Sequence, residues 1–118
     1  MQEFLFILRN KIDESYVCKF DNMPKYMLLW SYWVDDLERS HRLVCTSTLL
    51  QSAVTLYNNK KIQYLPFVYE QEEVKGVVSG FLIIKAKDML EAISIAERCP
   101  NMTYAGSSIE IRQMISYP

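Results

Sequence analysis

The chain has 118 residues, a length that fits one domain with a core of its own, and we expect a single domain over residues 1–118. Half of the residues are hydrophobic and the formal net charge is -1, so no basic excess is available to bind phosphates or anionic lipid. This balance argues against nucleic acid and membrane surfaces as partners.

The amino-terminal stretch MQEFLFILRNKIDE has a short apolar centre but neither a basic leader nor a small-residue cleavage site. It therefore predicts a strand and not a signal peptide. The three cysteines, Cys18, Cys45 and Cys99, include no CxxC pair, which argues against a disulfide framework and against a zinc site. We expect a cytoplasmic protein with reduced thiols, no metal site and no cofactor.

The first part of the chain predicts a strand, a polar connection and a helix. The run EFLFILR is rich in aromatic and branched residues, as buried strands are, and DESYVCKFDN follows as a polar connection. From Pro24, the stretch PKYMLLWSYWVDDLERS carries apolar residues at 26, 30, 33 and 37, with 27 and 34 widening the stripe. That spacing predicts a helix of about four turns with Pro24 in its first turn.

The second part predicts further strands around a second helix. The strand-like runs RLVCTSTLLQSAVTLY and KIQYLPFVY are separated by an Asn-rich gap at residues 58–61, which predicts a hairpin, and EQEEVKG follows as a charged loop. Residues 76–86 are the next predicted strand and residues 88–98 the second helix, with Asp88 as its N-cap and Cys99-Pro100 as its stop. The run SSIEIRQMI is the closing strand.

This order of elements predicts an α+β fold with two helices on one face of a mostly antiparallel sheet. Such a sheet normally alternates apolar and polar residues, because its second face is wet, yet VVSGFLII and FLFIL barely alternate. A bare apolar sheet face would exceed the patch that monomers usually tolerate. We therefore expect a symmetric homodimer packed sheet to sheet, with a small-molecule cleft near the seam.

The residues also resemble a known family. The stretches GFLIIKAKDMLEAISIAERCP and GSSIEIRQM, together with FLFILRN and the W-x-x-W of Trp30 and Trp33, resemble the YCII-related family, in particular its DGPF branch. The resemblance covers nearly the whole chain and is most specific in the carboxyl half. It implies a ferredoxin-like βαββαβ fold that pairs into a dimeric α/β barrel. Family members include a dehydrochlorinase of a chlorinated hydroxyquinol, and an acid/base role has been proposed for a His and an Asp.

Both proton carriers of that family are replaced in this chain. Tyr26 stands at the position of the family His, and Tyr64 stands for the Asp of the DGPF motif, in YLPF, where Phe67 is kept. An unperturbed phenol titrates near ~10, so two tyrosines do not reproduce a His–Asp pair at pH 7. Their hydroxyls still donate hydrogen bonds to a ligand oxygen.

The remaining candidates each have a structural alternative. For His41 the structural alternative is a cap at a helix end, and the functional one is a role as acid/base. For Cys45 the alternatives are an unreactive thiol and a nucleophile. Cys99 belongs to the stop of the second helix. Trp30 packs in the core or lines a pocket. The predicted strands also carry three charged side chains, Arg9, Glu110 and Arg112. They form either a surface ion pair or a cationic rim that binds an anionic or phenolic ligand.

Three functions remain open on this basis. The first is a dimeric small-molecule binding protein whose ligand-binding residues are Tyr26, Trp30, Tyr64, Phe67, Arg9 and Arg112. The second is an enzyme on small aromatic or keto compounds, with Tyr26, Tyr64 or His41 as acid/base. The third is a purely structural partner domain. The loss of the His and the Asp favours the first.

Overall fold

The computed structural model of the chain describes residues 1–10, 23–49, 53–65 and 77–115, and at 23–26 and 63–65 it describes the backbone alone. Within these residues the elements follow in this order: β1 (Gln2–Asn10), α1 (Met23–Arg39), β2 (Leu43–Thr48), β3 (Ala53–Leu56), β4 (Ile62–Leu65), β5 (Val77–Ala86), α2 (Met89–Glu97), a 3-10 helix (Pro100–Thr103) and β6 (Ser108–Gln113).

Four of the strands form one sheet in the order β2-β5-β1-β6, with every neighbouring pair antiparallel. The strands β3 and β4 form a separate two-stranded sheet inserted between β2 and β5. With this insert set aside, the chain runs strand, helix, strand, strand, helix, strand, and the first and third of these strands lie at the centre. This is the ferredoxin-like βαββαβ arrangement, so the predicted fold class is confirmed.

The core lies between the four-stranded sheet and the two helices. Alternate residues of the central strands face the helices and are buried, which is the period-two pattern of a strand. The buried apolar side chains come from both layers: Phe4, Phe6, Leu8, Trp33, Leu37, Leu82, Ile84, Ala86, Ala92, Ala96 and Cys99. Each large apolar side chain buried in this way contributes roughly 1.5–3 kcal/mol to folding.

The opposite face of the sheet, which we call the open face, is also apolar at its centre. Leu5 pairs with Ile83 and Ile7 pairs with Phe81 across the two central strands, and all four side chains are half-buried. Both helices lie on the other side of the sheet, since their buried residues join Phe4, Phe6 and Leu82. The prediction of central strands that are apolar on both faces is therefore confirmed.

Helix α1 ends in a Schellman motif built around His41. The N–H of Arg42 bonds to the carbonyl of Leu37 at 2.8 Å, and the N–H of His41 bonds to the carbonyl of Glu38 at 3.0 Å. His41 has a φ of 58°, the left-handed conformation that this motif requires. Trp33 and Leu37 are buried as the apolar stripe predicts, but Met27 is 63% exposed, so its assignment to the buried stripe was wrong.

Helix α2 begins at the predicted cap and leads into a buried polar cluster. The Asp88 carboxylate accepts a hydrogen bond from the Glu91 N–H at 2.9 Å, which satisfies an N–H group that has no partner within the helix. Beyond the helix, Asn101 of the 3-10 helix accepts a hydrogen bond from Asn10 Nδ2 at 2.9 Å and donates to the Ser108 carbonyl at 3.3 Å. These bonds join β1, the 3-10 helix and β6.

The predicted hairpin exists, but its strands do not join the four-stranded sheet. The long run of residues 42–57 divides into β2, which pairs with β5, and β3, which pairs with β4. In this hairpin Leu56 pairs with Ile62, and the exposed fractions of Val54, Leu56 and Ile62 are 59%, 68% and 53%. Separately, none of the described helices is long and apolar enough to cross a membrane.

Candidate functional site

The aromatic ligand-binding residues predicted from the sequence begin on α1. Tyr26 lies in the first two turns of that helix and Trp30 lies one turn later, so the two share a helix face. The Trp30 ring contacts Trp33 edge to face, with 5.7 Å between ring centroids and 82° between ring planes. Trp30 is therefore tied to the core through a buried neighbour and still half-exposed, as a pocket wall must be.

The other members of the predicted aromatic set are placed only in part. Tyr64 lies on β4, opposite Val54 of β3, but its side chain, like that of Tyr26, is outside the described side chains. Phe67 lies outside the described residues. A pocket that brings the Tyr26 and Tyr64 hydroxyls together stays a prediction.

The charged residues predicted as a rim lie together on the open face. Arg9 Nη1 is 3.5 Å from Glu110 Oε1, and Arg112 Nη1 is 3.7 Å from Glu110 Oε2. One carboxylate thus lies between two guanidinium groups, which is the ion-pair alternative drawn from the sequence. The Arg112 side chain is 68% exposed and that of Arg9 only 21%, so Arg112 is the more accessible cation.

Arg9 has a donor that this ion pair leaves unsatisfied. Its Nη1 atom is buried and makes no hydrogen bond to any described residue, although Glu110 Oε1 is near. A distance of 3.5 Å is too long for a normal hydrogen bond from nitrogen to oxygen. A buried donor without an acceptor destabilises the folded protein. We therefore expect Arg9 to bond to an acceptor that lies outside the described residues.

The remaining candidate side chains differ in reactivity. His41 is exposed and holds the left-handed position at the end of α1. Cys45 is exposed on the edge strand β2, whereas Cys99 is buried, and desolvation raises the pKa of its thiol to about 12. Cys99 is thus protonated and unreactive at neutral pH. No group of three or more metal-ligating side chains occurs among the described residues.

A cleft between α1 and α2, which the sequence did not predict, has a volume of about 580 Å³. Its lining combines apolar, hydroxyl and charged side chains: Trp33, Asp36, Leu37, Arg39, Ser40, Arg42, Glu91, Ser94, Ile95 and Arg98. Arg42 forms a short ion pair with Glu91 and donates to the Lys85 carbonyl at 3.2 Å. The hydrogen bond from Arg42 lowers the pKa of the Glu91 carboxyl. This pair joins residues 49 apart, and no local pattern signals such a contact.

The fold and these sites define a ferredoxin-like α+β protein with an apolar sheet face and an aromatic first helix. A solved structure similar to it is 5-chloro-2-hydroxyhydroquinone dehydrochlorinase (TftG) from Burkholderia phenoliruptrix AC1100, in complex with 2,5-dihydroxybenzoquinone. The match covers 92% of this chain and 90% of that chain, at 16% sequence identity and a TM-score of 0.49. A likeness of this size transfers neither a site nor an activity. No protein-family model and no curated protein sequence matches the chain.

Proposed function

We propose that the chain is a homodimeric small-molecule binding protein of the YCII-like, DGPF type, in which two copies pack with their open faces together. The observation that carries this proposal is the apolar centre of the open face, formed by Leu5, Ile7, Phe81 and Ile83. The two described helices pack on the other face, and burying apolar area contributes roughly 25 cal/mol per Å². In a symmetric dimer, the open face of one copy is buried against the open face of the other.

The ligand in this proposal lies at the aromatic end of α1. Tyr26, Trp30, Tyr64 and Phe67 supply hydroxyl donors and flat apolar surface but no group that titrates near neutral pH. Support comes from the sequence resemblance and from the half-exposed Trp30 one turn beyond Tyr26. Such a set suits a flat, oxygen-bearing small molecule. Arg9 and Arg112 lie beside Glu110 on the open face, which the second copy covers in this proposal, so the ligand contacts are assigned to the aromatic residues alone.

Light scattering on a chromatographic peak tests the assembly. At micromolar concentration we expect twice the mass of one chain, because the open face is then buried. A stable monomer under these conditions would show that the open face is covered in another way, and the dimer would be abandoned.

A panel of small hydroxylated aromatic compounds, measured by thermal shift and calorimetry, tests the ligand site. For any compound that binds, we expect Tyr26→Phe and Tyr64→Phe each to weaken binding by about 2- to 12-fold, the worth of one neutral hydrogen bond. Tyr32→Phe is the matched control, because Tyr32 is an exposed phenol of the same helix. If binding is unaffected by both changes and falls in Arg98→Ala, the ligand lies in the cleft between α1 and α2 instead.

A further inference from the structure

We propose that the two copies meet in one particular register, in which a two-fold axis crosses β1 at the level of Phe6 and Glu3 of each copy pairs with Arg9 of the other. The inference rests on the proposed homodimer and goes further, because it names the residues that a second copy contributes. It follows from the order of charges on the open face.

The open-face residues of β1 are arranged symmetrically about Phe6. Alternation along the strand places Glu3, Leu5, Ile7 and Arg9 on this face, with the acid and the cation each three residues from Phe6. A two-fold axis that lies between the sheets and crosses the strands at this level sets Leu5 against Ile7 of the second copy. The same axis sets Glu3 against Arg9.

The neighbouring strands repeat this symmetry. On β6, Arg112 pairs with Leu5 and Glu110 pairs with Ile7, so the axis brings Arg112 of one copy onto Glu110 of the other. On β5, Ile83 pairs with Leu5 and Phe81 with Ile7, so the axis brings these two apolar side chains together.

Lys85 is the exception among the charged residues of the open face. It pairs with Glu3, and its counterpart across the axis is Val78, the residue that pairs with Arg9. Four of the five charged positions, namely Glu3, Arg9, Glu110 and Arg112, therefore meet an opposite charge.

The distances suit an ion pair between Glu3 and Arg9. Each residue lies about 10 Å along the strand from the axis, so in antiparallel copies each lies over the other. Packed sheets are about 10 Å apart, a gap that the Arg and Glu side chains span together from opposite sides. The angle of about 30° between packed sheets shifts the ends of β1 by only about 5 Å.

Among the described residues of one copy, neither member of the proposed pair has a full partner. The buried Nη1 of Arg9 makes no hydrogen bond to any described residue. Of the ion pairs and hydrogen bonds found in the described part of the chain, none involves the Glu3 side chain, although Lys85 lies across from it. A carboxylate from the second copy gives the Arg9 donor its acceptor, and the new bond is charge-assisted.

The other simple register matches the charges less well. A two-fold axis parallel to the strands, between β1 and β5, sets Glu3 against Lys85 of the second copy. It also sets Arg9 against Val78, and it sets Arg112 and Glu110 of β6 against Cys45 and Ser47 of β2. Three charged side chains then meet uncharged residues in a buried seam, which is costly.

Exchange of the two charges distinguishes the registers. Sedimentation equilibrium of the full chain gives the dimer dissociation constant for Glu3→Arg, Arg9→Glu and the double variant. We expect each single variant to raise this constant by about 30-fold or more, because each dimer contains the pair twice and like charges then face each other. The double variant should return to within about threefold of wild type, since opposite charges are restored.

Arg9→Glu also places an acid beside Glu110 within its own copy, so milder variants accompany the exchange. Glu3→Gln and Arg9→Gln form a double-mutant cycle in which we expect the two changes to couple at least about threefold in the dissociation constant. Lys85→Glu is the control for the alternative register. Urea unfolding of each variant separates a weakened fold from a weakened interface.

The measured dissociation constants separate three outcomes. Restoration of Glu3→Arg by Lys85→Glu, and not by Arg9→Glu, overturns the proposed register in favour of the parallel axis. A wild-type dimer whose dissociation constant is unchanged by Glu3 and Arg9 variants overturns the pair while the proposed dimer stands. A monomeric wild type overturns the dimer of the proposed function and with it the register.

Discussion

At the scale of single residues, His41 has a structural role at the end of α1 that follows from its backbone conformation. The Schellman motif at the end of α1 requires a left-handed residue, and Gly is the usual choice because it has no Cβ to strain that conformation. The chain has His at this position, at a φ of 58°. A side chain there carries a conformational cost, which makes its effect on stability measurable.

We expect His41→Gly to stabilise the protein by about 0.5–1 kcal/mol, because relief of the left-handed strain exceeds the entropy that Gly adds to the unfolded chain. Urea unfolding measures the change. Ser40→Gly is the matched control and should destabilise, since the Ser40 hydroxyl bonds the Asp36 carbonyl at 2.9 Å. A destabilised His41→Gly would mean that the imidazole makes an interaction worth more than the strain.

The thiol of Cys99 makes stability depend on pH. Burial raises its pKa from 9.0 to about 12, so folding favours the neutral thiol. The contribution is complete below pH 9 and is lost as the pH rises toward 12, because the unfolded chain then releases a proton that the folded chain keeps. Relative to Cys99→Ala, we expect wild type to lose about 2 kcal/mol between pH 8 and pH 10.5. Parallel curves for the two proteins would contradict the raised pKa.

At the scale of elements, the amide pair of Asn10 and Asn101 holds the end of β1 to the 3-10 helix. Both residues are almost fully buried, with 4% and 2% of their surface exposed, and the Ser79 hydroxyl donates to Asn10 Oδ1 in a short bond. Buried polar groups depend on one another, because removal of one leaves the next without a partner.

We expect Asn101→Ala to destabilise the fold by about 2–4 kcal/mol, since it leaves both the Asn10 amide and the Ser108 carbonyl without their bonds. In the Asn101→Ala variant, the further change Asn10→Ala should lower the free energy of unfolding by less than it does in wild type. Gln113→Ala is the control, because Gln113 makes a similar amide bond to Gln2 at 2.6 Å on the surface, and we expect a change within about 0.5 kcal/mol. Equal losses in the buried and the exposed variant would refute this account.

The elements that sequence reasoning predicted best are those with local signals. The strands β1 and β5 have apolar runs, and α2 has Asp88 at its start and Pro100 beyond its end. The division of residues 42–57 into β2 and β3 was missed, because the run carries strand-forming residues throughout and the break depends on which strand each half pairs with. Residues 26–30 of α1 are apolar at every position, so the stripe alone placed Met27 on the wrong face.

At the candidate site, the residue types were predictable but their pairing was not. The sequence indicated that Glu110 and Arg112 share a strand face and that Arg9 ends the first strand, since alternation in a strand is a local property. The register that sets Glu110 between the two cations depends on how β1 and β6 align, and those strands are about 100 residues apart in the chain. The cleft beside Arg42 and Glu91 depends likewise on the packing of two distant helices.

At the scale of the whole molecule, a dimer held by the open face links assembly to thermal stability. Unfolding then separates two chains, so the melting temperature rises with protein concentration. We expect a rise of about 2–4 °C for each tenfold increase in concentration. Ile83→Lys, at the centre of the open face, should remove this dependence, whereas Leu90→Lys should keep it because Leu90 is 77% exposed on α2. A melting temperature of wild type that is independent of concentration would argue against the dimer.

The position of β1 in the sheet has a consequence for biosynthesis. Its hydrogen-bonding partners are β5, which begins at Val77, and β6, which ends at Gln113, so β1 leaves the ribosome long before either strand exists. At about 5–20 residues per second, the wait for β5 alone is several seconds. During that time a nine-residue segment that is apolar on both sides has unpaired edges, the kind of sequence that associates with other nascent chains. Glu3 and Arg9, which flank its apolar centre, then act as charged gatekeepers before they have any role in the folded protein.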